Sequence, residues 1–229
     1  MSRERLQAVF FDFDGVIADS EPLHLRAYQK VLQPEGIALP KEDYYARYLG
    51  YDDVGLFQAL TRDRGIAVTT EKVDEWVDSK AQIIEQMLSS DAILFPGAAD
   101  CVRMFAASVP IAVASGALEP EIDMVLRHGG IRDCVRAIAS ASDGVRGKPA
   151  PDLYLLAMAK LKELGASINP ASCIAIEDSH WGLEAAHKAG LRCVAVTNTY
   201  AAGELCLADL IVERLADLTL ATVERLIRN

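Results

Sequence analysis

Residues 8 to 11, Ala-Val-Phe-Phe, form an apolar run that stops abruptly at Asp12-Phe13-Asp14-Gly15, and the chain repeats this pattern. Pro110 to Ala114 stops at Ser115-Gly116, Cys173 to Ile176 at Glu177-Asp178, and Cys193 to Val196 at Thr197-Asn198. A run that is apolar at every position, rather than at every second one, reads as a strand buried on both faces. Helical patterns separate the runs. Leu153, Leu156, Ala157, Lys160, Leu161 and Leu164 follow the i, i+3, i+4 spacing, with Pro151-Asp152 as a start signal and Gly165 as a stop. A second helix is predicted from a Ser179 cap through Leu183 and Ala186 to Gly190, and a last one from Leu215 to Ile227. Buried strands alternating with helices predict an α/β fold, a doubly wound, Rossmann-like parallel sheet covered on both faces.

Residues 21–91 break the alternation. They carry helical stretches, Val54 to Arg64 and Glu71 to Leu88, and no obvious strand. One core strand precedes this region and the others follow it, so it reads as an inserted α-helical cap domain over the strand ends. Residues 1–20 and 92–229 then form the α/β core. A chain of 229 residues accommodates a core with a smaller companion.

The formal charge of −10 argues against a nucleic-acid binder, which needs clustered Lys and Arg. A phosphorylated substrate would have to be attracted by local cations or a bound metal. The five cysteines are odd in number, far apart and without a Cys-x-x-Cys pair, which points to reduced, structural thiols. Met1 to Gln7 is charged and lacks the long apolar region of a signal peptide, and no stretch approaches the roughly 20 apolar residues of a membrane span. A cytoplasmic monomer is the default expectation.

Asp12 and Asp14 are like charges at alternate positions, which an extended backbone would point the same way. Alone they could be a solvated strand end. An EF-hand loop is disfavoured because Gly15 comes too early and Ile17 and Ala18 fall where ligands belong. A hard cation would justify the pair, and Glu177-Asp178 supplies a second acidic cluster after another strand. Strand ends of an open α/β sheet gather into one crevice, although acidic residues also favour helix starts for electrostatic reasons. Ser115-Gly116 offers a hydroxyl and unhindered backbone N–H groups, or is an ordinary loop. Lys148, in Gly147-Lys148-Pro149-Ala150-Pro151-Asp152, is a surface residue of a Pro-rich loop or an ammonium that relieves carboxylate repulsion and meets phosphate. Trp181, beside the acidic pair, either walls a pocket or packs under a helix.

Asp12-Phe13-Asp14-Gly15-Val16, then Ser115, Gly147-Lys148-Pro149 and Glu177-Asp178-Ser179, strongly resemble the haloacid dehalogenase superfamily over nearly the whole chain, in its magnesium-dependent branch with a helical cap. The resemblance implies that Asp12 is a nucleophile forming an aspartyl-phosphate and that Asp14 is the general acid and base. It implies that Asp12, Asp14, Asp178 and Glu177 hold Mg2+, Asp14 through its backbone carbonyl, while Ser115, Gly116 and Lys148 hold the phosphoryl group. His24 matches a mutase hinge histidine, a role that competes with packing at a helix start. In the loop Tyr48-Leu49-Gly50-Tyr51-Asp52-Asp53, mutases of this kind carry a Lys before the glycine and an Arg three residues after it. Leu49 and Asp53 stand there instead, with Arg47 as a nearby cation. A carboxylate would repel a second phosphate that an Arg would clamp.

The expected activity is therefore hydrolysis of a small phosphomonoester such as a sugar phosphate, with a β-phosphoglucomutase-type mutase as the alternative. Tyr48, Leu49, Gly50, Asp53 and His24 are the candidate specificity residues. A dehalogenase proper needs neither Asp14 nor Asp178. A phosphonate hydrolase needs a reactive cap lysine, and none stands out by its sequence context. A non-enzymatic phospho-Asp signalling receiver needs only about 120 residues and no helical insertion.

Overall fold

The computed structural model describes residues 5–49, 51–88 and 93–228. By internal packing the chain divides into two compact units, Met1–Asp19 with Ala92–Asn229, and Ser20–Asp91. In chain order the elements begin with β1 Ala8–Phe11, α1 Glu21–Leu32, α2 Lys41–Asp43, α3 Asp53–Asp63 and α4 Thr70–Leu88. They continue with α5 Ala98–Ala106, β2 Ile111–Ala114, α6 Glu119–His128, β3 Val135–Ala139 and α7 Asp152–Glu163. The chain then forms β4 Cys173–Glu177, α8 His180–Lys188, β5 Arg192–Val196, β6 Leu210–Val212 and α9 Leu220–Arg228.

The six strands make one parallel sheet in the order β3-β2-β1-β4-β5-β6. The order reverses direction at β1, which lies between β2 and β4, and ligands of such sheets bind at that switch point, outside the carboxyl ends of the strands. Alternation along each strand sorts side chains by face. One face carries Ala8 and Phe10, Ala112 and Ala114, Ala137 and Ala139, Cys173 and Ala175, and Cys193 and Ala195, all packed with α7 and α8. Small residues there let helix and sheet approach closely. Asp12 and Glu177 each continue this face one step beyond the apolar rows. On the opposite face, Phe11 meets Phe105 of α5 with ring centroids 6.2 Å apart.

The predicted strands are all present, and β3 and β6 are additional. Both lie at sheet edges, where exposed Arg136 interrupts the apolar run of β3 and β6, apolar throughout, spans only three residues. The predicted last helix is shorter, because Leu215–Asp217 form a 3-10 turn before α9. The helix predicted from Val54 begins at Asp53, with Asp52 as its cap accepting from Gly55 N at 2.7 Å.

The helical unit is built on α1, α3 and α4 around Leu32, Leu56, Phe57, Leu60 and Trp76. Within it lies a buried polar network. Lys80 of α4 is 3% exposed and ion-paired with Asp53, whose Oδ1 also accepts the Tyr28 hydroxyl at 2.6 Å. The Lys80 ammonium lies 4.3 Å from the centre of the Tyr28 ring. Burial, and then the positive charge of Lys80, lower the His24 imidazole from 6.5 to about 4, against a smaller opposing effect of Asp53. His24 is thus neutral in the folded chain at pH values where the unfolded chain binds a proton. Stability is lost as pH falls from 6.5 through 4, by about 2 kcal/mol for this partly shielded side chain. Urea unfolding of the wild type and of His24→Gln, at pH 7 and pH 4.5, should show the variant losing less stability on acidification.

Candidate active site

β1 delivers Asp12 to the switch point. Its backbone N–H donates to the Ile176 carbonyl of β4 at 2.9 Å, extending the strand pairing by one residue. The extended conformation then ends. The Phe13 carbonyl accepts from Val16, Ile17 and Ala18 N–H groups at 3.3, 2.9 and 2.9 Å, folding residues 13–18 into a tight turn. Asp14, half-buried, therefore does not continue the strand direction of Asp12.

Lys148 reaches in from the loop before α7. Its Nζ lies 2.7 Å from Asp12 Oδ1 and 2.7 Å from Glu177 Oε1. The loop is held by a bidentate Arg146–Asp152 pair at 3.0 and 3.1 Å and by Lys188 Nζ donating to the Pro149 carbonyl at 3.2 Å. Burial alone would lower the Lys148 ammonium, but the Asp12 and Glu177 charges outweigh it and raise it above the usual lysine range. An ammonium has three donors. Beyond the two carboxylates no hydrogen-bond acceptor reaches this buried nitrogen among the described residues.

Glu177 is fully buried at the end of β4, where the Tyr154 hydroxyl of α7 donates to Oε1 at 2.6 Å. Burial first, and the Asp12 charge second, push its carboxyl up to about 8 despite Lys148. Asp178, 5% exposed, is raised to about 7 by burial and then by Asp12, with a Thr199 hydrogen bond opposing. Oxygens of Asp12, Glu177 and Asp178 all lie within 4.8 Å of one another. Three buried carboxylates against one lysine leave the cluster short of positive charge. A hard dication that takes carboxylate oxygens fits this donor set.

Two glycines permit the crowding. A Cβ on Gly182, in the first turn of α8, would lie 1.9 Å from Glu177 Oε2. One on Gly15 would lie 1.9 Å from Asp178 Oδ2, and Gly15 has φ of +75°, which favours glycine. The Asn198 side chain donates to the Gly15 carbonyl at 2.8 Å, tying the loop after β5 to the acidic turn.

The structure thus gathers Asp12, Lys148, Glu177 and Asp178. Ser115 ends the neighbouring strand β2; it is 1% exposed, and its Oγ accepts from Ala117 N at 3.0 Å. Above Gly116 the space is open. Asp14 stands outside the carboxylate group. His24, Tyr48, Leu49 and Asp53 belong to the helical unit, and Gly50 lies outside the described residues. The Tyr48 ring is buried in that unit and its hydroxyl donates to Asp63 at 3.1 Å, while Arg47 pairs with the same carboxylate at 2.8 Å. Tyr154, Asn198, Thr199, Gly15 and Gly182 were not singled out as site residues from sequence. Gly15, within the Asp12 to Val16 motif, and Asn198, just after a strand end, carried a sequence signal without an assigned role. A second group, His187, Cys193 and Asp209, also lies within 4.8 Å, but each member is engaged by backbone or by Arg192.

The haloacid dehalogenase-like hydrolase family matches residues 6–190. Fructose-1-phosphate phosphatase YqaB of Escherichia coli strain K12 is 28% identical, over 84% of this chain and 97% of its own length. β-Phosphoglucomutase of Bacillus subtilis strain 168 is 29% identical, over 94% of this chain and 92% of its own. The crystal structure of CbbY from Rhodobacter sphaeroides in complex with phosphate superposes with a TM-score of 0.77 at 27% identity, covering 93% of this chain and 96% of that one. With the sheet order, the acidic cluster and the buried lysine in place, the chain belongs to the haloacid dehalogenase-like hydrolase family.

Proposed function

We propose that the protein hydrolyses a small phosphomonoester, a sugar monophosphate, with Mg2+ and through an aspartyl-phosphate on Asp12. The observation that carries this reading is the Lys148 ammonium, buried between two carboxylates beside a third, with no other acceptor in reach among the described residues. Family membership implies a metal-dependent site, and Asp12 and Asp178, with Glu177 behind them, would hold the ion, together with the Asp14 carbonyl. Bound there, the cation would neutralise charge on the phosphoryl oxygens.

Asp12 Oδ1 accepts from Phe13 N at 2.7 Å and contacts Lys148, so Oδ2 is the oxygen without either donor and the one suited to attack. Attack of Oδ2 on phosphorus forms the O–P bond while the bond to the sugar oxygen breaks, and Asp14 gives that oxygen its proton. Water then attacks the aspartyl-phosphate, Asp14 takes back a proton, and inorganic phosphate leaves. Lys148, Ser115 and Gly116 hold the phosphoryl oxygens through both steps.

Hydrolysis is favoured over mutase chemistry by the helical unit. The resemblance places the second-phosphate clamp of mutases at positions 49 and 53, where this chain has Leu49 and Asp53. Asp53 pairs with Lys80, the buried lysine of that unit, and so neutralises it. This pairing also makes Lys80 a charge partner rather than the free amine a phosphonate hydrolase needs.

Three outcomes are expected. Asp12→Asn lowers phosphate release by at least about 1,000-fold with an unchanged circular dichroism spectrum, and full activity in that variant removes Asp12 as nucleophile. Lys148→Met leaves buried carboxylates uncompensated and costs about 3–5 kcal/mol of metal-free stability in urea unfolding. Mg2+ at about 100-fold its Kd adds about 2–3 kcal/mol to the wild type and much less to Asp178→Asn, and chelation stops turnover. A panel of sugar monophosphates and bisphosphates, scored for phosphate release and for isomer formation, tests the activity itself. Interconversion without net release would overturn it.

A further inference from the structure

Trp181 is not a core residue. It is the second residue of α8, three positions after Asp178, and its side chain is 45% exposed, so it does not pack under its helix. It is not a singly scattered apolar residue either. The His180 ring lies 4.0 Å away, centroid to centroid and tilted 39°, and Tyr200 meets both edge-on, 5.4 Å from His180 and 6.5 Å from Trp181.

This cluster is anchored to the acidic site from both sides. His180 and Trp181 follow Glu177-Asp178 at the carboxyl end of β4. Tyr200 follows Thr199, whose hydroxyl bonds the Asp178 carboxylate, and Asn198, whose amide holds the Gly15 carbonyl. The aromatic group therefore stands at the carboxyl ends of β4 and β5, the side of the sheet where ligands bind.

Its chemistry selects a partner. An indole face is large, flat and carries the negative end of the ring quadrupole, so it prefers C–H groups with slight positive charge over anions. The same quadrupole disfavours an anionic group over the ring, whereas neutral hydroxyls at its rim meet no such repulsion. A sugar in ring form offers both surfaces, a C–H face and a hydroxyl rim, whereas an open-chain polyol presents no flat face.

We infer that Trp181, braced by His180 and Tyr200, is a specificity platform that stacks on the C–H face of a ring-form sugar monophosphate. This rests on the hydrolase reading above and narrows its substrate class.

The test compares ring-locked glucose 1-phosphate with open-chain mannitol 1-phosphate, using acetyl phosphate to report phosphoryl chemistry alone. The wild type should favour the ring form. Trp181→Ala should lower the ratio of kcat/KM for ring over open chain by about 10-fold, through KM rather than kcat, and Trp181→Phe should recover most of it. A binding readout needs no turnover. In Asp12→Asn with Trp76→Phe, leaving Trp181 as the single tryptophan, glucose 1-phosphate should quench indole emission, and mannitol 1-phosphate should do so less. An unchanged ratio, an equal loss on both sugars, a preference for the open chain, or acetyl phosphate hydrolysis with neither sugar accepted would each overturn the platform while sparing the hydrolase. Absence of phosphate release from all three would instead overturn the hydrolase reading and the platform with it.

Discussion

The Lys148 ammonium between Asp12 and Glu177 is the contact on which the site depends. Buried carboxylates repel one another and cost several kcal/mol each when left uncompensated. One lysine shared by two strands' ends offsets part of that cost and fixes the distance between them. The arrangement demands the sheet order found, because only adjacent β1 and β4 bring Asp12 and Glu177 to one cation. It demands the small-residue face as well. Ala8, Ala175 and Ala195 let α7 and α8 lie close to the sheet, so that Tyr154 can bond Glu177 and Gly182 can clear it.

Much of this was legible because the strands are buried on both faces. A run such as Ala8 to Phe11, apolar at every position and ended by charge, is too short for a core helix and fits a central strand that opens into a polar loop. The site followed from the same cue, since each of Asp12, Ser115 and Glu177 ends such a run and strand ends converge. Edge strands β3 and β6 escaped because an edge tolerates Arg136 and brevity. Tyr154 escaped for another reason: within a helix its aromatic ring reads as core, and nothing local marks its hydroxyl as the donor to a residue 23 positions away.

Gly15 and Gly182 show where one-dimensional reading stops. Each looks like a turn or helix-start residue, yet each is fixed by a carboxylate that would lie within 2 Å of any Cβ. Such constraints are distances between strand ends and neighbouring loops, and they exist only once the sheet is assembled. The pairing of Asp53 with Lys80 is of the same kind, two residues 27 apart on separate helices.

These two buried lysines also separate structure from function. In the helical unit Lys80 meets one carboxylate and a tyrosine, Asp53 is satisfied by both, and the charges cancel. Such a network is balanced in charge, and it specifies how α1, α3 and α4 pack. In the sheet unit one ammonium faces three carboxylates, two of which burial and repulsion push up to about 8 and about 7. That network is short of positive charge at its carboxylates. A metal cation would answer that deficit. The same elementary cost of burying charge therefore builds a scaffold where the count balances and a binding site where it does not.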